Sequence, residues 1–269
     1  MAHSLVRLVE IWWQAINDFS ALLETVEAAQ WSLPTDLEGW DVHAIAAHTA
    51  HLESLLAGAP HVEVEVGEPA HVTGLLGHFT EQGVVARRDR TPDELITEIR
   101  TSAITRRTAL LDEPPQDAAA PAPGVFGLIG WTTERLLRNR PLDVWMHEQD
   151  VRRAIGRPGN LDGPAAVHTA DYLAESLGFV LVKRGGAGAG TTAVLEVDGH
   201  PPHSVVVDDD GRGRTLDAVP NDPTVRLAMS RETFILLAGG RRSVAPGAVM
   251  MAGDVDLGGR VVAGLAVTP

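Results

Sequence analysis

The sequence contains no cysteine. That absence removes disulfides, cysteine-ligated zinc and cysteine nucleophiles together, so any sulfur chemistry must use a thiol brought from outside. Lysine is nearly missing as well, with Lys183 alone among 22 basic residues. Positive charge is scarce overall: 36 acidic residues leave a formal net charge of −14. This argues against a nucleic-acid partner, which requires a basic footprint. Long apolar runs are absent too. None reaches the ~18 residues that a membrane span requires, and the opening stretch carries Arg7 and Glu10 inside its only apolar candidate. It does not read as a signal peptide, and the expectation is a cytoplasmic protein with no membrane association.

What remains is ordinary globular material. The chain has 269 residues, 44% hydrophobic and 22% charged, with mean hydropathy near zero. That is enough for one large domain or two modest ones.

The first half reads as helices. Apolar residues at helical spacing (Leu5, Leu8, Val9, Trp12, Ile16, Leu22, Leu23, Val26) predict a helix over 4–28. After a turn from Pro34 to Gly39, Asp41 is placed to cap a second helix that ends near Ala57, before Gly58 and Pro60. Residues 61–71 alternate His, Val and Glu and suit either a short strand or a loop. A third helix is expected over about 73–90. Thr91-Pro-Asp-Glu94 has the form of a capping box and opens a fourth, to about Leu111. Residues 112–130, rich in Pro, Ala and Gly, form a long connection of the kind that often serves as a lid. One helix starts near Thr132, and another opens at Pro141 and ends at Gly156.

The second half changes character. A helix over 164–183 leads to a glycine run at 185–190, followed by β-like segments at 191–197, 204–207 and 212–216. The acidic turn Asp208–Gly211 separates the last two as a hairpin does. A capped helix over 230–239, a strand over 248–252 and a helix over 256–265 complete the chain. The expected class is therefore α+β, with a helical domain over 1–157 and a smaller α+β domain over 158–269.

Three residues carry the chemistry. Asp143 and His147 are four apart, so in a helix they share one face a turn apart. His48, from a separate helix, would complete two imidazoles and one carboxylate. That set suits a divalent metal such as zinc, with a position left open for water or substrate. The same Asp–His spacing is also an ordinary helical pair worth about 0.2–0.5 kcal/mol. His51 and the arginines at 87, 88 and 90 read as solvated surface residues. Other patterns lead nowhere. His147-Glu-Gln-Asp-Val151 lacks the second histidine of a zinc-protease motif. The glycine run lacks dinucleotide spacing and precedes a strand. No Gly-x-Ser-x-Gly elbow exists for serine hydrolysis.

Two segments resemble a known family. Gly39-Trp-Asp-Val-His-Ala-Ile-Ala-Ala-His48 resembles the metal motif of DinB-like four-helix proteins. Asp143-Val-Trp-Met-His-Glu-Gln-Asp-Val-Arg-Arg-Ala154 is similar to the matching helix of their actinobacterial branch, the mycothiol-dependent maleylpyruvate isomerase family. Ala228, the stretch Leu237–Ser243, Gly253-Asp254 and Ala266–Pro269 are similar to that family's second, sterol-carrier-like domain. The resemblance implies a DinB-like four-helix bundle followed by a smaller α+β unit. It also implies zinc, or another divalent metal, at His48, Asp143 and His147. The family pattern has glutamate where this chain has Asp143.

The same resemblance implies a reaction. A thiol at the open metal position loses its proton, and only the thiolate is a good nucleophile. With no cysteine in the chain, mycothiol as cosubstrate fits. The thiolate adds to a small electrophile. Elimination then returns the thiol in an isomerase, whereas the adduct leaves in an S-transferase. Asp150, three residues after His147, is placed behind the ligand or on the surface. Arg88 and Asp150 are the candidate catalytic residues. Arg241 and Arg242 are candidates to hold the cosubstrate through bidentate carboxylate contacts, although arginines near a helix C-terminus are expected from the helix dipole alone. Two other readings remain open: a non-catalytic bundle that binds an apolar ligand, and a hydrolase in which the same metal activates water. The expected assembly is a monomer or homodimer.

Overall fold

The structure is a computed structural model that describes residues 5–268. Ser4, where the sequence places the first helix start, and Pro269, the end of the similar C-terminal stretch, lie outside the described residues. The chain divides into two units, one up to Asn160 and one from Leu161 on.

In the first unit, the apolar stripe Leu8, Trp12, Ile16, Phe19 and Leu23 is buried along α1 (Leu5–Leu23). Asp41 caps α2 (Val42–Leu56), its carboxylate accepting from the Ala44 N–H at 2.8 Å. Helix α3 (Gly74–Val85) follows a coil that contains no strand over 61–71. The capping box opens α4 (Pro92–Asp112): Thr91 Oγ1 accepts from the Glu94 N–H, and the Glu94 carboxylate accepts from the Thr91 N–H. The long connection holds only a single helical turn, α5 (Val125–Leu128).

The last helix of this unit corrects the sequence reading. Instead of one helix near Thr132 and another opening at Pro141, α6 runs unbroken from Thr133 to Ala154 with Pro141 inside it. An interior proline costs about 3 kcal/mol. Burial on both sides of it, by Leu136 and Leu137 before and Val144, Trp145 and Met146 after, outweighs that cost. α6 packs on α1 and α2, and α4 packs on the same two, so four helices close a ring; α3 lies against α2. No helix among the described residues is long and apolar enough to cross a membrane.

The second unit starts with α7 (Pro164–Ala174), a short α8 (Leu177–Phe179) and a π-helical turn over Val180–Arg184. One continuous helix over 164–183 is thus replaced by three pieces. A five-stranded sheet follows: β1 (Thr192–Val197), β2 (His203–Val207), β3 (Gly213–Thr215), β4 (Val225–Met229) and β5 (Val249–Gly253), in the order β3-β2-β1-β4-β5. Only β1 and β4 run parallel. β4 lies where the sequence reading offers no element, although its burial alternates as a strand requires. Helices α9 (Arg231–Ala238) and α10 (Val255–Ala263) are capped by Ser230 and Asp254. Gly178 and Gly213 bring α8 and β3 together so closely that a Cβ on Gly213 would sit 2.5 Å from Gly178 Cα. The chain is α+β: a helical N-terminal region and a small mixed-sheet unit.

Candidate metal centre

The packing of α2 on α6 brings His48 to Asp143 and His147. One ligand atom from each lies within 4.8 Å of the others. His48 Nε2 is 3.7 Å from Asp143 Oδ2, and His147 Nε2 is 3.7 Å from Asp143 Oδ1. These separations are too long for hydrogen bonds. They approach the ~3.3 Å between donor atoms that tetrahedral coordination at about 2.0–2.1 Å produces. Both histidines are almost fully buried, whereas Asp143 keeps partial exposure. The three donors fit a divalent metal reached from one open side.

Neighbouring residues set the state of each donor. His147 Nδ1 faces Asp150 Oδ2 at 3.3 Å, and a carboxylate there holds the proton on Nδ1, leaving the Nε2 lone pair for a metal. Asp150 is itself fixed by Arg153 Nη2 at 2.5 Å, and Arg153 Nε donates to Asp36 at 2.6 Å. Asp150 is thus fully buried behind the ligand, not on the surface. Burial pushes His48 below its usual pKa, despite Asp143 beside it, and keeps it neutral. For Asp143, burial alone would raise the pKa. The Arg140 guanidinium and the two histidines outweigh it and hold the carboxyl well below its usual range. A neutral imidazole and an ionised carboxylate are the forms that bind metal.

The wall and floor come from residues the sequence reading did not assign. The Trp40 ring lies over both imidazoles, with centroids 4.8 Å from His48 and 6.1 Å from His147. Its Nε1 donates to Glu81 at 2.8 Å, and His71 Nε2 meets the same carboxylate oxygen at 3.3 Å. Gly39, at φ +80°, makes room for this: a Cβ there would fall 2.2 Å from the His71 ring. Beneath the site, Arg140 donates through Nη1 to Asp143 Oδ2 at 2.8 Å and through Nη2 to Glu53 Oε1 at 2.6 Å. Arg140 stands three residues before Asp143, a helical spacing that the sequence does show. Glu53 could be found only in the fold.

Other expectations come out differently. His51 is 1% exposed, not a surface residue. Its Nδ1 accepts from Arg87 Nη1 at 3.3 Å, and its ring lies so close to α3 that a Cβ on Gly83 would sit 2.1 Å away. Burial, then Arg87, depress His51 to about 3. Arg87 leaves the expected solvated cluster: it is buried and pairs with Glu98 through Nε at 3.0 Å and Nη2 at 2.6 Å. Arg88 and Arg90 stay exposed in the turn after α3. In the second unit, Arg241 Nη1 donates to the Gly239 carbonyl at 2.7 Å.

Comparison with known proteins identifies the family of the chain. Residues 12–152 match the family model of the mycothiol maleylpyruvate isomerase N-terminal domain, and residues 167–260 match the C-terminal domain of the same family. The chain belongs to the mycothiol maleylpyruvate isomerase family. Within the solved structures, it is similar to the crystal structure of the mycothiol-dependent maleylpyruvate isomerase, at 18% identity, TM-score 0.58 and 93% coverage of both chains. A histidine-to-alanine mutant of that isomerase is similar at 19% identity, TM-score 0.54 and the same coverage. At such identity these two establish the fold that the family shares. No curated protein matches.

Proposed function

We propose that this protein holds zinc or another divalent metal at His48, Asp143 and His147 and activates mycothiol for addition to a small electrophile. The observation that carries the reading is the convergence of three donor atoms within 4.8 Å in a member of this family. A bound metal with three protein ligands supplies an exchangeable position and makes a thiol held there acidic. Burial keeps His48 neutral, Asp150 retains the proton on His147 Nδ1, and Arg140 keeps Asp143 ionised. The Trp40 ring lies against both imidazoles, tilted to each. The nucleophile comes from the cosubstrate because the chain has no thiol of its own.

Two outcomes share the first step, formation of a carbon–sulfur bond. When the bond breaks again after rotation about the former double bond, the thiol returns and the protein is an isomerase. When the adduct departs, it is an S-transferase. The names of the structural relatives support mycothiol as the thiol and maleylpyruvate as the first electrophile to try. Arg88, Arg241 and Arg242 are proposed to hold carboxylates of substrate or thiol, with Asp150 supporting the ligand His147.

Metal analysis by mass spectrometry of native protein, His48→Ala and His147→Ala tests the site. About one metal per chain, lost in both variants, is the expected result; full retention in both would remove the site. Turnover of maleylpyruvate with catalytic mycothiol then marks an isomerase, and stoichiometric thiol consumption marks a transferase.

A further inference from the structure

The two oxygens of Asp143 are not equivalent. Each oxygen stands 3.7 Å from one imidazole, Oδ2 from His48 Nε2 and Oδ1 from His147 Nε2, but Oδ2 alone accepts from Arg140 Nη1, at 2.8 Å. Arg140 cannot follow the carboxylate if it moves. Its side chain is 1% exposed, and its other nitrogens, Nη2 and Nε, hold Glu53 Oε1 at 2.6 and 3.2 Å. Glu53 is fixed in turn: it is fully buried on α2, and it accepts from Trp12 Nε1 of α1 at 3.1 Å and Arg106 Nη1 of α4 at 3.4 Å. The guanidinium on α6 is thus anchored by all the other helices of the ring. An aspartate whose one oxygen is held from below by a rigid cation has the other oxygen left for the site.

We infer that Arg140 is a positioning residue: it reserves Oδ2 of Asp143 and commits the carboxylate to the metal through Oδ1 alone. The inference rests on the metal site proposed above and adds how that site stays open. A carboxylate that binds through one oxygen keeps the coordination number low, so the position for the thiol is not filled by the protein's own ligand. Released from Arg140, Asp143 is free to chelate with both oxygens and close that position.

Cobalt(II) reads coordination number directly, because four-coordinate sites absorb strongly in the visible and five- or six-coordinate sites weakly. The experiment compares cobalt-loaded wild type with Arg140→Lys, which keeps a positive charge against Glu53 but has one ammonium for two carboxylates. Melting temperature and circular dichroism are followed in parallel. The expected result is a several-fold loss of visible absorbance in Arg140→Lys at equal cobalt content. An unchanged spectrum would overturn the inference, even if the melting temperature falls, since a purely structural role moves only the latter. Should Arg140→Lys fail to fold, Glu53→Gln decides. It leaves an oxygen for Trp12 but loosens the anchor of Arg140, so it carries the same expected loss, and an unchanged spectrum there overturns the inference. Wild type that takes up neither cobalt nor zinc would instead sink the metal site itself, and this inference with it.

Discussion

The interiors of the two units are built on different terms. Within the described residues, every buried arginine, aspartate and glutamate belongs to the helical unit: Glu53, Glu81, Arg87, Arg106, Arg140, Glu148 and Asp150. Among its described residues the α+β unit buries His168, Thr169 and Ser204 as its only polar side chains, beside valine, leucine, alanine, isoleucine, methionine and phenylalanine. Burying charge is costly unless it is paired, and a bundle of four helices has no need of it to fold. The helical unit bears that cost where its donor atoms converge. The difference teaches where to look: buried charge is concentrated in the core that carries the candidate metal site and, among the described residues, is missing from the other core.

The comparison breaks most visibly at Glu53. Its replacement by alanine strands Arg106 and one arm of Arg140 in the interior, and should cost about 3–5 kcal/mol in urea unfolding of the full chain. A loss below 1 kcal/mol would mean the charges are not what holds this core. Next in size is Asp150→Asn. This variant should fold but bind zinc roughly 10- to 100-fold more weakly in competition with a chromogenic chelator, because the partner of His147 Nδ1 loses its charge.

Acid should weigh more on the helical interior, where burial lowers two histidines, than on the sheet unit, where it lowers His203 alone among the described residues. His51 is depressed to about 3 and His48 is also lowered, both by burial. Below the unfolded value of 6.5 the unfolded chain takes up these protons and the folded chain does not. Stability is therefore full above pH 6.5 and falls as the pH drops, by about 1.4 kcal/mol per pH unit for each such histidine, with His51 contributing down to about pH 3. In metal-free protein, His51→Gln should flatten this slope, as read from denaturant midpoints between pH 7 and 5; a slope unaltered by the variant would contradict it. Smallest of all is Ser204→Ala in the sheet. The Ser204 hydroxyl is buried without a partner, so its removal should leave stability within about 0.5 kcal/mol of wild type or raise it.

Much of the site was legible because local rules govern it. Asp143 and His147 are fixed by helical spacing, Thr91 and Glu94 by capping chemistry, and Asp41 by its place before an apolar run. The rest depends on partners distant in sequence. Pro141 reads as a helix start until α6 is seen to be buried on both sides of it and packed on α1. His51 reads as a surface residue because nothing nearby in sequence reveals Arg87, and Asp150 stays open between the surface and a place behind His147 until Asp36 is seen holding Arg153 beside it. β4 hides between Pro220, Pro223 and Ser230, although Val225, Leu227 and Met229 all turn inward. The 61–71 alternation, by contrast, has strand periodicity and no strand to pair with.

The charge chain from Arg106 through Glu53 and Arg140 to Asp143 has a consequence for descent. Each member is flanked by opposite charge, so exchanging any one alone leaves a neighbour exposed to an interior that cannot solvate it. Lineages of this fold can abandon or rebuild the arrangement only by changing several positions together. Related sequences should therefore fall into groups that keep the charge at all four positions, with aspartate or glutamate at 143, or at none, with few intermediates between them.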